Sequence, residues 1–250
     1  MTDEGLLKPG ERIDCLIDER LKIIQNPQTF RFSADAVLLA RFVTVKPGDI
    51  VCDLGTGTGV IPLLLSQRTR AAKLYGLEIQ AGMADMARRS VIINGLTDRI
   101  SIDTGDLREA VARYGSSRFD AVVSNPPYYA ACFGRLNASD ALTLARHEVA
   151  CTLEDVVKAA ARITKSRGRA AFIHKPHRLV DLIVLLRANR LEPKRLQVVY
   201  ARPGRKPAFV LVEAVKDGGA ELAILNPLYI YDADGEYTLE LRDIYFGERE

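Results

Sequence analysis

The sequence predicts an α/β fold built on a seven-stranded, mostly parallel sheet that ends in an antiparallel hairpin. Three observations predict it. Short β-rich runs alternate with helical patterns between residues 49 and 189, the rhythm of a doubly wound sheet. A glycine-rich turn, Gly55-Thr56-Gly57-Thr58-Gly59, follows the first of these runs and opens a helical stretch, which is where open α/β sheets bind ligands. The last two β-rich runs are separated only by Arg202-Pro203-Gly204-Arg205-Lys206-Pro207. So short a link makes a hairpin, because a parallel crossover needs about a dozen residues or more.

Taken in order, Ser33 can cap a helix containing Asp35, Val37, Leu38 and Leu39, since its hydroxyl can accept from a first-turn amide. Strands follow over 49–54, 73–78, 99–103, 119–124, 169–174, 196–201 and 208–214. Helices are expected over 61–68, 81–94, 107–114, 153–165 and 177–189. Met83, Met86, Val91 and Ile92 mark the apolar face of the second of these, and Asn94-Gly95 ends it. Thr152 and Asp155 form a capping-box start for the fourth. The whole chain, 1–250, reads as one domain: an N-terminal segment, 1–48, packed on the core; the core itself, 49–214; and a C-terminal extension, 215–250.

Composition narrows the function classes. A 250-residue chain with 48% hydrophobic and 27% charged residues is globular, too apolar and too nearly neutral for disorder. No apolar run approaches the roughly 20 residues that span a bilayer. The acidic start lacks the basic-then-apolar order of a secretion signal, so a cytoplasmic location is expected. Four scattered cysteines without a C-x-x-C pair, and three histidines, supply no zinc pattern, and no metal is expected. The net charge is +3, yet residues 151–210 hold 14 Lys and Arg against 4 Asp and Glu, and residues 211–250 hold 3 against 10. This asymmetry suits a nucleic-acid-facing surface; solvated helix faces would produce it too.

The glycine loop lets backbone approach a ligand without Cβ collisions. Its pattern is G-x-G-x-G; a dinucleotide fingerprint would need glycine at position 60, which is Val60. NAD stays an alternative for the loop at this point. Glu78 ends the second strand 19 residues after Gly59, where an acid can accept from both ribose hydroxyls of an adenosine-containing cofactor. Asp106 follows the third strand and can accept from an adenine amino group.

Asn125-Pro126-Pro127-Tyr128 follows the fourth strand. Two prolines fix φ and remove two donors, leaving the Pro126 carbonyl and the Asn125 side-chain oxygen as acceptors. Two fixed acceptors suit an –NH₂ on an sp² carbon, whose lone pair is delocalised. Holding both hydrogens frees that lone pair to point at an electrophile, which is catalysis by positioning and preorganised electrostatics. Tyr128 can stack on a planar base.

The order of glycine loop, Glu78, Asp106 and closing hairpin resembles the class I S-adenosylmethionine-dependent methyltransferases, whose fold is Rossmann-like. The resemblance implies S-adenosylmethionine as cofactor, with Gly55, Thr56, Gly57 and Gly59 around its methionine part, Glu78 on the ribose and Asp106 on the adenine. Asp53 would orient the loop or the cofactor's amino group. Asn125-Pro126-Pro127-Tyr128 resembles the N-P-P-Y signature of amino-group methyltransferases, which act on adenine N6 in DNA or RNA or on protein glutamine N5, and it does not separate these substrates. It implies Asn125, Pro126 and Tyr128 as catalytic residues, Asn125 also bordering the cofactor, and Pro127 and Tyr128 against the substrate.

The block from Gln28 to Ala40, the Ala145-Arg146-His147-Glu148 stretch and the close from Tyr229 to Tyr237 are similar to the bacterial tRNA1(Val) (adenine-N6)-methyltransferase family. That similarity covers essentially the whole chain and implies tRNA as partner and the adenine 3′ of the anticodon, position 37, as target. Phe30, with Phe32 and Asp35, loosely matches an aromatic-plus-acid segment that contacts the cofactor in related enzymes. Arg146, His147, Arg205 and Lys206 are candidates for contacts to the RNA. Protein glutamine-N5 methylation and DNA or rRNA adenine methylation are the alternatives; only about 48 residues precede the first core strand, few for the helical domain of glutamine enzymes. The oligomeric state is left open between monomer and weak homodimer.

Overall fold

The computed structural model describes residues 3–16, 21–27, 34–126, 128 and 151–246. Its main sheet carries the seven expected strands: β3 (Ile50–Leu54), β4 (Lys73–Glu78), β5 (Ile100–Thr104), β6 (Phe119–Ser124), β7 (Thr164–His174), β8 (Leu191–Tyr200) and β9 (Pro207–Lys216). The spatial order is β8-β9-β7-β6-β3-β4-β5. Neighbours from β7 to β5 are parallel, while β9 is antiparallel to both β7 and β8. Strand order therefore reverses at β3 and β6, and the carboxyl ends of those two strands open the crevice where ligands bind in such sheets.

Both faces are covered. On one lie α1 (Ala34–Phe42), α2 (Val60–Arg68) and α3 (Ala81–Ile93); on the other α4 (Ala110–Tyr114), α5 (Leu153–Ile163) and α6 (Leu179–Ala188). Burial on both faces explains why the central strands read as nearly continuous apolar runs. The capping box of α5 is formed: the Thr152 hydroxyl accepts from Asp155 N at 3.1 Å, and the Asp155 carboxylate accepts from Thr152 N at 3.0 Å. The helix stops at Ile163, two residues short of expectation, because the buried Thr164 hydroxyl turns back to the Ala160 carbonyl and the chain enters β7 early.

Two features add to the sequence reading. Within the N-terminal segment an antiparallel hairpin, β1 (Arg12–Leu16) and β2 (Leu21–Gln25), packs against α3, and its Leu16, Leu21 and Ile23 join the core. Ser90 Oγ accepts from Ile24 N at 2.9 Å, and Arg89 pairs with Glu11 and Asp85. Beyond β9, two short strands, β10 (Ala223–Ile224) and β11 (Leu228–Tyr229), run parallel to the outer edge of β8; the chain continues into α7 (Leu239–Phe246), whose Leu241 and Ile244 join the core.

Candidate active site

Loop 55–59 leaves β3 with Gly55, Gly57 and Gly59 at φ of +77°, +58° and +84°, a region that L side chains avoid. Gly55 N and Thr56 N both donate to the Leu77 carbonyl, at 2.8 and 3.1 Å. Gly57 N donates to Glu78 Oε2 at 2.8 Å, and Gln80 N to Glu78 Oε1 at 2.9 Å. The buried Glu78 thus organises the loop with one lone pair on each oxygen and keeps the others for a ligand. Gly76, within β4, lets the loop settle so close: a Cβ there would come within 2.8 Å of the Thr56 side chain. The sequence signal for it was a lone glycine inside a strand pattern.

Asp53 is almost completely buried, and neither of its carboxyl oxygens has a hydrogen-bond partner; the buried hydroxyls of Thr56 and Thr58 lack one too. Burial, with the Glu78 charge adding to it, pushes the Asp53 carboxyl up to about 7, and the nearby Thr56 hydroxyl offsets part of the shift. Buried polar atoms without partners are costly. A buried carboxylate with the Thr56 hydroxyl beside it, behind a glycine loop, fits the amino-acid end of S-adenosylmethionine, whose ammonium would supply the donors the carboxylate lacks.

Asp106 already has a partner. Its carboxylate caps the short helix Leu107–Glu109 through Arg108 N at 2.9 Å and holds the Arg108 guanidinium, which keeps its carboxyl below the usual carboxylate range. The acid expected to receive an adenine amino group is occupied by its own neighbour two residues on.

On the other side of the crevice, Ser124 Oγ donates to the Leu54 carbonyl at 2.7 Å, so the turn bearing Asn125 is tied to the start of the glycine loop. The half-buried Tyr128 hydroxyl lies at 2.7 Å from Asn125 Oδ1 and against Asp35 Oδ2. Asp35, in the first turn of α1, also accepts from Ala36 N at 2.8 Å. It therefore stands at the Asn125 side of the crevice rather than on the glycine loop. The Tyr128 ring meets His174 edge-on at 5.5 Å and Phe209 at 5.8 Å, and Lys175 Nζ lies 4.0 Å from the Phe209 ring centroid and 4.8 Å from that of Tyr128. Here Tyr128 is a packed, hydrogen-bonded residue, and burial raises its hydroxyl well above the ordinary tyrosine value. His174, at the end of β7, is pushed down to about 4, chiefly by burial, and its Nδ1 accepts from Lys175 N.

His174, Lys175 and Phe209 were missed in the sequence because they fall on the last parallel strand and the closing hairpin, brought to Tyr128 only by strand order. Phe30, Phe32, Ser33, Pro127, Arg146 and His147 lie outside the described residues. Arg205 and Lys206 sit exposed in the β8–β9 turn, where Gly204 takes φ +74°. Because β8 runs parallel to β6, this turn lies at the same sheet edge as Asn125.

The basic excess of 151–210 is not one surface. Half of its cations are ion-paired: Lys158, Lys165, Arg169, Arg178, Arg187, Arg190 and Arg195. Arg162, Lys165 and Arg167 sit where β7 begins, at the edge opposite Asn125. Lys175, Arg202, Arg205 and Lys206 stand at the crevice edge. Among the described residues no cluster of His, Cys, Asp and Glu is arranged to hold a metal, and no helix is long and apolar enough to cross a membrane.

Comparison with known proteins agrees with this geometry. The family model for the methyltransferase small domain matches residues 31–149. The tRNA1(Val) (adenine(37)-N6)-methyltransferase of Porphyromonas gingivalis is 35% identical over 91% of this chain and 91% of its own. The protein of that name from Aeromonas hydrophila is 27% identical over 83% and 85%. Among solved structures, a predicted O-methyltransferase from Agrobacterium tumefaciens superposes with a TM-score of 0.69 at 25% identity, covering 84% of this chain and 95% of that one. Geranyl diphosphate C-methyltransferase from Streptomyces coelicolor, solved with S-adenosyl-L-homocysteine, shares the fold at a TM-score of 0.53 and 15% identity, covering 73% and 75%. With a glycine loop at the end of β3, Asn125 at the end of β6 beside it, and a 35% identical relative matched along nearly its full length, the chain belongs to the tRNA1(Val) (adenine(37)-N6)-methyltransferase family.

Proposed function

We propose that this protein transfers a methyl group from S-adenosylmethionine to N6 of the adenine 3′ of the anticodon, position 37, of tRNA1(Val). The observation that carries the proposal is the joining of two strand ends: Leu54, which opens the glycine loop, and Ser124, which precedes Asn125, are hydrogen-bonded to each other. Whatever Asn125 holds is thereby presented to whatever the loop holds.

S-adenosylmethionine, when bound, supplies an electrophilic methyl on a sulfonium. Gly55, Thr56, Gly57 and Gly59 provide the cradle, Asp53 the counter-charge to the ammonium, and Glu78 the acceptors for the ribose. Asn125 and the Pro126 carbonyl hold the adenine amino hydrogens, so that its nitrogen lone pair is freed toward the methyl. Held so, the nitrogen would take the methyl as its bond to sulfur broke, and the amino proton would then leave to water. Asp106 is proposed only as a border of the adenine end, reached after Arg108 moves.

The test is to incubate the enzyme and labelled S-adenosylmethionine with unmodified tRNA1(Val) and, separately, with a release-factor-type protein. N6-methyladenosine at position 37 by mass spectrometry, lost in Asn125→Ala while cofactor affinity holds, is the expected result. Label in the protein alone would replace the RNA reading by glutamine methylation.

A further inference from the structure

Beside the crevice lies a group of side chains that none of the roles above uses. Tyr200, the last residue of β8, stacks on Tyr229 of β11, its register partner, with centroids 5.4 Å apart and planes 29° from parallel. Two residues on, Tyr231 stacks on Tyr237 at 5.3 Å and 20°, the two joined by an antiparallel bridge. The Arg202 guanidinium lies over the Tyr231 ring at 5.6 Å and against Gly235, whose missing Cβ would come within 3.1 Å of it. Leu228 and Ile230, alternating with Tyr229 and Tyr231, point into the core, so burial is carried by the aliphatic residues while the rings stay half-buried and Tyr237 is 36% exposed.

The placement ties this group to the site. Phe209, which touches Tyr128, pairs in register with Val199, next to Tyr200. Three strand spacings, roughly 14 Å, separate β6 from β8, a distance a few nucleotides of a loop can cross. Arg202, Arg205 and Lys206 border the rings. Two of the three carboxylates of the adjoining turn are engaged: Asp232 accepts from Asp234 N and Glu236 N, both at 3.0 Å, and Glu236 faces Arg242 at 3.7 Å, while Asp234 is exposed at the turn's tip. Planar rings with a cation over them, beside a basic turn, are the composition of a surface for unpaired bases.

We infer that Tyr200, Tyr229, Tyr231 and Tyr237, with Arg202, form a stacking platform for the unpaired RNA bases that neighbour the methylated adenine. The inference rests on the tRNA reading and adds to it where the rest of the loop lies. It divides the labour of binding: the tip cations, Arg205 and Lys206, pair with phosphates, and the tyrosines stack on bases.

The experiment uses the full-length enzyme and an anticodon stem-loop RNA, with affinity measured across a salt series. Tyr200→Ala and Tyr237→Ala should each weaken binding about fivefold or more with the salt slope unchanged. Tyr200→Phe and Tyr237→Phe should restore it, since stacking needs the ring and not the hydroxyl. Cofactor affinity should be that of the wild type in all four. Independently of folding in any variant, thiouridine-substituted loop should crosslink to wild-type peptides holding residues 200, 229, 231 or 237. Wild-type affinity in both Ala variants, failure of the Phe variants to rescue, or crosslinks confined to other peptides would overturn the platform. A wild-type enzyme that methylates no tRNA fails the functional reading itself, whereas normal tRNA methylation with any of those results fails only the platform.

Discussion

Ser124, the last residue of β6, donates its hydroxyl to the carbonyl of Leu54, the last residue of β3, across 2.7 Å, and both are fully buried. A side chain here does what the ladder stops doing: the β3–β6 register ends at Asp53 and Val123, and this bond holds the two strand ends together beyond it. Ser124→Ala should cost about 1–2 kcal/mol, since a buried carbonyl loses a partner. It should also lower kcat several-fold while the cofactor Kd stays within about twofold, because the Asn125 turn loosens and the glycine loop keeps its bonds to Leu77 and Glu78. Unfolding curves and steady-state kinetics measure the two effects; an Ala variant with wild-type kcat would show that the stitch is only structural.

Asp53 makes the cofactor-free protein sensitive to pH. Its carboxyl is held up at about 7 against an ordinary 3.8. The folded state thus holds this proton more tightly than the unfolded chain, so stability is greatest below about pH 4 for this group and falls as pH rises through 7, by on the order of 4 kcal/mol in all. Asp53→Asn should flatten this stretch of the stability profile. The cofactor's ammonium favours the ionised carboxylate, so binding near pH 6 should release a proton, visible by calorimetry in buffers of different ionisation enthalpy. Identical pH slopes for wild type and Asp53→Asn would remove Asp53 from both roles.

Tyr128 carries a single hydroxyl proton between two neighbours, Asp35 and Asn125. Donation to the Asp35 carboxylate is the stronger bond. The same hydroxyl lies 2.7 Å from Asn125 Oδ1, so Tyr128 holds the Asn125 side chain in place at the crevice. Tyr128→Phe should therefore reduce kcat by about tenfold, the scale of one lost hydrogen bond, with cofactor affinity unchanged. Asp35→Asn should reduce it less, because a neutral amide still accepts from Tyr128. Equal kcat in Tyr128→Phe and wild type would separate Asn125 from this chain of bonds.

At the β8–β9 tip, Arg205→Ala with Lys206→Ala should weaken tRNA binding and lower the slope of log K against log salt by up to about two phosphate contacts. Adenine discrimination and cofactor affinity should be kept, because phosphate contacts position the RNA and do not read it. Binding measured from low to moderate salt decides it; an unchanged slope would make the tip a solvated turn.

The sheet was legible in the sequence because its strands are buried on both faces and punctuated by glycine and proline. The glycine loop, Glu78 and Asn125 were legible because each follows a strand directly, and strand ends are where such folds put chemistry. Side-chain partnerships were not. Asp106 reads as a free acceptor in one dimension, and only its closeness to Arg108 in a helical turn shows it engaged. The basic excess of 151–210 reads as one face, yet the sheet sends Arg162 and Arg202 to opposite edges. Lys175 and Phe209 gave no signal because their meeting with Tyr128 depends on a strand order that no local pattern encodes.

The two short strands on β8 have a consequence for how copies of the molecule behave together. β8 is ten residues long and would otherwise present its outer row of amides and carbonyls to any passing strand. β10 covers Arg195 and Leu196, β11 covers Val199 and Tyr200, and the Gln197 amide donates to the Asn226 carbonyl between them at 3.0 Å. The covering strands are short, two residues each, and Pro227 stands between them, which leaves little open ladder for a second strand to extend. The same stretch thus does two jobs at once: it covers the open edge of β8 and, through Leu228, Ile230, Leu241 and Ile244, closes the core behind it.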